Sequence, residues 1–266
     1  MANKDTSKDN DWLRRAVLTF VTAGGLAGRA SNHTMHVVEQ LGRAIVAGEY
    51  PPKTMIPLDP DICEMFDVSR TVVREAKKTL IAKGLIQSKA KVGTHVRQPN
   101  EWNMFDEDVL RWHAHVKKPN PFYDELFEIR LIFEPAAAAN AASNAKPADC
   151  TELYRLCDML AQSANRADFA TVDTEFHKQV LRLSGNRFLQ SLGDLVQTAL
   201  YSLFMIEAKD SFSKRKSEAV AAHRAITDAI ASGVPARAHE AMETVIRNGY
   251  SAGIKDITVD PGSQVI

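Results

Sequence analysis

Three side chains in the second half of the chain are of types that bind metal ions or anions. Asp173 and His177 are four residues apart, so a helix would point both the same way. His223 opens a later run, His223-Arg-Ala-Ile226-Thr-Asp-Ala-Ile230. A carboxylate with two imidazoles suits a divalent ion such as zinc, nickel or manganese. Arg130 stands in the apolar stretch Leu126-Phe-Glu-Ile-Arg130-Leu-Ile-Phe-Glu134-Pro135. Burying that cation is costly unless an anion meets it. The anion is either a bound ligand or Glu134, one turn along the same helix. Spacing alone leaves both open, and leaves the histidines open as ordinary packed or surface residues.

A different chemistry is written into Val68-Ser69-Arg70-Thr71-Val72-Val73-Arg74-Glu75. With Ser69 as helix cap, Arg70, Thr71 and Arg74 fall in the first two turns, where a helix-turn-helix meets base edges. Arg70 and Arg74 share a face, and each guanidinium can pair with guanine O6 and N7. Thr71 suits a phosphate or methyl contact. Lys89 and Lys91 lie beside Gly93, where they could reach phosphates and the glycine would let the chain pass close.

The elements that must hold these residues follow from pattern. His33–Gly48 has apolar residues at helical spacing, and Pro51-Pro52 forces an extended link. Leu58-Asp59-Pro60 reads as a helix start, with Asp59 as cap and Pro60 at the first helical position, the helix running to about Phe66. Ser69 caps the next helix, which Gly84 ends. Leu85–Ser88 and Thr94–Arg97 are short β-like runs around a basic tip. Helix, helix, turn, helix and basic hairpin make a winged helix-turn-helix.

After Asn103 helical periodicity recurs through Asp106–Val116, Asp124–Asn144, Pro147–Asn165, Asp168–Leu183, Arg187–Ala208, Phe212–Ala231 and Pro235–Gly253, with short breaks. Long amphipathic helices on short loops predict an antiparallel bundle of six or seven helices. The fold class is therefore mainly α. The expected divisions are an extension over 1–32, the winged domain over 33–99 and a linker with a short helix over 100–120. A helical bundle, which holds the candidate metal- or anion-binding residues, follows over 121–254, then a tail over 255–266.

Composition excludes other classes. The 266 residues are 45% apolar and 25% charged, which rules out disorder, collagen and coiled-coil rods. Net charge is zero, with 33 basic and 33 acidic side chains. That zero is a cancellation: residues 1–100 hold 15 basic against 10 acidic groups, and 101–266 hold 18 against 23. A basic nucleic-acid-facing module joined to an acidic partner domain is the expected reading. Cys63, Cys150 and Cys157 are an odd set with no paired spacing, as suits a reduced cytoplasm. No apolar run is long enough to cross a bilayer. Ala16–Gly28 follows an acidic leader, so an accessory helix or mobile extension is expected there rather than a signal peptide.

The residues also carry a resemblance. Val37–Arg97 resembles the DNA-binding domain of the GntR family of bacterial transcription regulators. The matching pieces are Ile45-Val46-Ala47-Gly48, Pro57, Phe66-Asp67-Val68-Ser69-Arg70, Val73-Arg74-Glu75, Leu80, Gly84-Leu85-Ile86 and Gly93-Thr94-His95-Val96. Two positions depart from the family pattern. Leu58-Asp59-Pro60-Asp61-Ile62 replaces a Ser-Glu-x-x-Leu run that often includes a DNA-contacting Arg, and Lys91 replaces a wing glycine. The resemblance implies operator binding through Ser69, Arg70, Thr71, Arg74, Lys89, Lys91 and Gly93.

Pro121–Gly253 resembles the FCD ligand-binding domain of the FadR-type branch. It does so through Arg130-x-x-x-Glu134-Pro135, Asp173-x-x-Phe176-His177, Gly185-Asn186 and His223-x-x-Ile226-x-x-Ala229-Ile230. In that family one Asp and three His hold a metal that binds a carboxylate effector, assisted by an Arg. The resemblance thus implies effector binding at Arg130, Asp173, His177, Asn186 and His223. The third histidine should fall near Val245 and is missing, and His239 is poorly placed to replace it. Direct or water-assisted effector binding is the expectation, with an incomplete metal site as the alternative.

Trp102-Asn-Met-Phe-Asp-Glu-Asp-Val-Leu-Arg-Trp112 is similar to a run in regulators of sugar-acid catabolism of the galactonate type. Its aromatic residues are expected to tie the bundle to the winged domain. What the resemblance implies is a dimeric repressor that a sugar acid releases from its operator. Two alternatives remain. One is a metal-dependent helical enzyme using Asp173, His177 and His223, although no nucleophile elbow, phosphate loop, dinucleotide fingerprint or HExxH motif occurs. The other is an architectural DNA-binding protein without an effector.

Overall fold

A computed structural model describes residues 29–89, 92–114, 116, 121–193 and 212–257. Lys91 at the wing tip, the expected extension before residue 29 and residues 194–208 of the expected Arg187–Ala208 helix lie outside the described residues. The chain divides into two compact units, Met1–Val116 and Lys117–Ile266.

The first unit is built on α1 (Arg29–Val46), α2 (Asp59–Phe66) and α3 (Arg70–Ala82). Antiparallel strands β1 (Ile86–Lys89) and β2 (Gly93–Val96) follow, with Ile86 opposite Val96 and Lys89 opposite Gly93. Met55 adds an isolated bridge to His95, extending the wing by one short pairing. Val37, Val38, Leu41 and Ile45 from α1 meet Ile62, Val73, Ala76 and Leu80 in one core, closed by Leu85, Ile86 and Val96. Burial of these apolar groups is what holds three short helices together.

Local chemistry sets the ends. Ser69 caps α3 as expected, its Oγ accepting the Val72 N–H. The start of α2 differs from expectation: Leu58, not Asp59, is the cap residue. Leucine offers the first-turn N–H groups no side-chain acceptor, and the Asp61 carboxylate accepts the Leu58 N–H at 3.1 Å. That leaves Asp59 free to pair with Lys77 of α3.

The segment expected as a linker over 100–120 belongs to this unit through Val116. After a 3₁₀ turn over Pro99–Glu101, α4 (Glu107–Ala114) lies against α1. Trp112 is buried, and its ring covers Gly42 so closely that a Cβ there would lie 2.3 Å away. Only glycine fits at that crossing. Trp112 Nε1 and the Arg111 guanidinium both donate to Glu39 of α1, at 2.9 Å and 2.7 Å. Lys83, the last residue before the Gly84 turn, is held by Asp106 and Asp108 at 2.8 Å each. Phe105, also expected to pack, is exposed.

The second unit comprises α5 (Phe122–Asn144), α6 (Pro147–Gln162), α7 (Arg166–Leu183), a helical run over 187–193, α8 (Phe212–Ala231) and α9 (Pro235–Ile257). Helix α5 is central, packing on α7, α8 and α9, while α6 packs on α7 and α8. Ala137, Ala138, Ala141 and Ala142 are buried on α5, and such small residues let neighbouring helices approach. Asn165, expected at the end of α6, instead caps α7 by accepting the Asp168 N–H at 2.9 Å. The mainly helical architecture with a two-stranded wing is as the sequence predicts. No helix among the described residues is long and apolar enough to cross a membrane.

Candidate functional site

The residues expected to read DNA lie on α3 and on the wing. Arg70, Thr71 and Arg74 are exposed in the first two turns of α3. Among the described residues no ion pair or hydrogen bond holds either arginine, whereas Lys78 pairs with Glu75 and Lys77 with Asp59. Two guanidiniums on one face are thus available to base edges. Lys89 is exposed at the end of β1, and Gly93 opposite it adopts φ +106° with the Met55 methyl packed over it.

The second unit brings Asp173 and His177 of α7 together with His223 of α8. One ligand atom from each lies within 4.8 Å of the others, and all three side chains are buried. His223 Nε2 is 3.0 Å from Asp173 Oδ1, and His177 Nε2 is 4.0 Å from Asp173 Oδ2. Phe176 sets its ring edge-on to His223, centroids 4.9 Å apart, walling the cluster with hydrocarbon.

Hydrogen bonds behind the rings fix their protons. His223 Nδ1 lies 2.7 Å from the Ala219 carbonyl oxygen, and His177 Nδ1 lies 2.7 Å from Glu134 Oε2. Both partners accept, so both Nδ1 atoms donate and both Nε2 atoms present lone pairs to Asp173. Despite its proximity to Asp173, His223 Nε2 makes no aligned hydrogen bond and is a buried nitrogen without a partner. Lone pairs of two imidazoles and a carboxylate therefore converge on one point, an arrangement that accepts a cation.

Glu134 is the residue that spacing did not assign to the cluster. Besides holding His177, it receives the Arg130 guanidinium, Nε to Oε1 at 2.5 Å and Nη2 to Oε2 at 3.3 Å. Burial pushes the Glu134 carboxyl up, but Arg130 and His177 outweigh it and hold the group at about 2. The anion that Arg130 requires is therefore Glu134 on its own helix. The i,i+4 spacing could have shown this; the link onward to His177, 43 residues away, could not.

Asn186 is not brought into the cluster's hydrogen bonds. Its side chain is spent as a cap, Oδ1 accepting the Phe188 N–H at 2.9 Å, and the residue is exposed. Val245, where the family's third histidine was expected, is half-buried on α9, and no described residue adds a fourth ligand to the three.

A winged helix-turn-helix joined to a helical bundle with a buried acid–histidine centre defines a class: DNA-binding regulators that carry a sensor domain. Comparison with known proteins places the chain within it. Residues 33–96 match the bacterial regulatory proteins of the gntR family, and residues 125–248 match the FCD domain. The chain belongs to the GntR family of transcription regulators, in the branch carrying an FCD domain.

The Galactonate operon transcriptional repressor of Escherichia coli is 31% identical over 231 residues, covering 85% of this chain and 99% of that one. The HTH-type transcriptional regulator YieP of the same organism is 30% identical over 215 residues, 80% of this chain and 91% of that one. A solved structure of Lar, described as controlling expression of the Listeria monocytogenes agr system, matches with a TM-score of 0.55 at 17% identity. That match spans 84% of this chain and 96% of the other and speaks for the fold alone.

Proposed function

We infer that the protein is a cytoplasmic transcriptional repressor, not an enzyme, and that a small sugar acid bound in the FCD unit releases it from its operator. Support for the repressing sign comes from relatives named as repressors, the galactonate operon repressor and the NanR repressor of Cronobacter sakazakii among them. The reading head acts as a homodimer, since helix-turn-helix proteins match two-fold operators with two heads.

The observation that carries the ligand reading is the unpartnered Nε2 of His223 facing Asp173 inside the bundle. With neutral imidazoles, the buried groups hold two carboxylates, Glu134 and Asp173, against the single cation of Arg130. A carboxylate entering alone would double that negative excess, which a buried site opposes. A divalent ion on Asp173, His177 and His223 reverses it. Such an ion supplies Lewis-acid attraction for a carboxylate oxygen. The absence of a third histidine leaves more of its coordination sphere to water or effector. Zinc, nickel and manganese all suit the donor set.

The test is the thermal shift of the full-length protein with galactonate and other aldonic or uronic acids, with each metal and with chelator, repeated on Asp173→Ala. Stabilisation that needs metal and vanishes in the variant is the expected result. An acid-induced shift indifferent to chelator would move the reading to direct or water-assisted hydrogen bonding. No shift with any acid would sink the effector class.

A further inference from the structure

On α3, Arg70, Arg74 and Lys77 follow one another at i, i+4 and i+7, a single stripe along the helix. Two of the three are exposed and unpaired among the described residues. The third is not: the Lys77 side chain is only 13% exposed, and its ammonium is held by Asp59 in the first turn of α2. The cation nearest in register to the reading arginines is thus neutralised from within the protein.

The location of Asp59 gives this pairing a consequence for DNA. In a helix-turn-helix the helix before the recognition helix crosses the phosphate backbone. The amino end of a helix ordinarily favours phosphate. Here that end carries two carboxylates, Asp59 and Asp61, and the second is committed to the Leu58 N–H. Asp59 therefore takes a positive charge away from the backbone-facing side of the motif.

We propose that Asp59 is a specificity-determining residue that masks Lys77 and so lowers the affinity of the reading head for DNA of any sequence. Base-edge contacts by Arg70 and Arg74 are unaffected by the mask, because neither pairs with Asp59. Selected sites are favoured over bulk DNA by suppressing the sequence-independent term rather than by adding a base contact.

The experiment compares full-length wild type, Asp59→Asn, Lys77→Gln and the double variant. The probes are a mixed-sequence duplex and a duplex selected on the wild-type chain from a random pool, each across a salt series. Asp59→Asn is expected to tighten mixed-sequence binding about 3- to 10-fold and to steepen its salt slope by about one. Lys77→Gln, which leaves Asp59 uncompensated, is expected to weaken mixed-sequence binding. The double variant restores the wild-type net charge and should return near wild-type values. Both single variants lose the same ion pair, so a purely structural role would move them in the same direction. That outcome overturns the proposal, as does an Asp59→Asn protein with unchanged mixed-sequence affinity, or a gain that survives in the double variant.

Discussion

Glu134 accepts the Nδ1 proton of His177 at 2.7 Å while its other oxygen takes the Arg130 Nε–H at 2.5 Å. One carboxylate therefore joins the cation of α5 to the imidazole of α7 and decides which histidine nitrogen faces Asp173. The family-implied effector arginine is, in this chain, part of the frame that orients His177.

Glu134→Gln should destabilise the protein strongly, because it leaves the Arg130 guanidinium buried without its counter-charge. Breaking one partner of a buried pair costs about 3–5 kcal/mol. Chemical denaturation reads it directly, and a loss below about 1 kcal/mol would contradict the role given to the pair.

Asp173→Asn should have two opposite effects. Its amide can donate to the bare Nε2 of His223, now 3.0 Å from a carboxylate oxygen, and so satisfy the buried nitrogen. Without metal the variant is expected to gain about 1 kcal/mol. Its stabilisation by zinc, nickel or manganese should disappear. A variant less stable than wild type without metal would argue that His223 is already satisfied.

Arg70→Ala and Arg74→Ala should each cost about 1–3 kcal/mol of binding to a selected duplex and relax preference at the bases they read. Ligand-induced thermal shifts of the bundle should stay unchanged, since both residues belong to the first unit. Retained sequence-specific binding in the double variant would remove α3 as the reading element.

The network between α1 and α4 sets an acid limit on the first unit. Burial raises Glu39, and hydrogen bonds from Arg111 and Trp112 more than offset it, leaving the carboxyl below its ordinary 4.5. Burial likewise raises Asp108, and Lys83 and Arg111 bring it below 3.8. Carboxyls lowered by folding contribute stability above their unfolded values and lose it as pH falls through the folded ones. Denaturation midpoints should therefore decline on acidification below about pH 5, and Arg111→Met should flatten that decline.

Residues close in sequence were the most legible. Ser69, the α3 stripe and the hairpin follow from capping and periodicity, and Asp173 with His177 from helical spacing. What escaped depended on distant partners. Leu58 rather than Asp59 is the cap, which frees Asp59 for Lys77 18 residues on, and Glu134 joins the cluster through a residue two helices away. Asn186 matched a family position, yet its carboxamide closes the turn before Phe188. The expected linker packs on the first unit because Gly42 admits the Trp112 ring, a complementarity that no local pattern displays.

That last contact determines how the protein can be cut and recombined. A reading head severed after Asn100 would lose the indole that covers Gly42 and the guanidinium that meets Glu39, exposing apolar surface on α1. A head carried through Val116 brings its own closing helix. Grafts of this head onto other sensor bundles should therefore be joined after Val116, where the first unit ends.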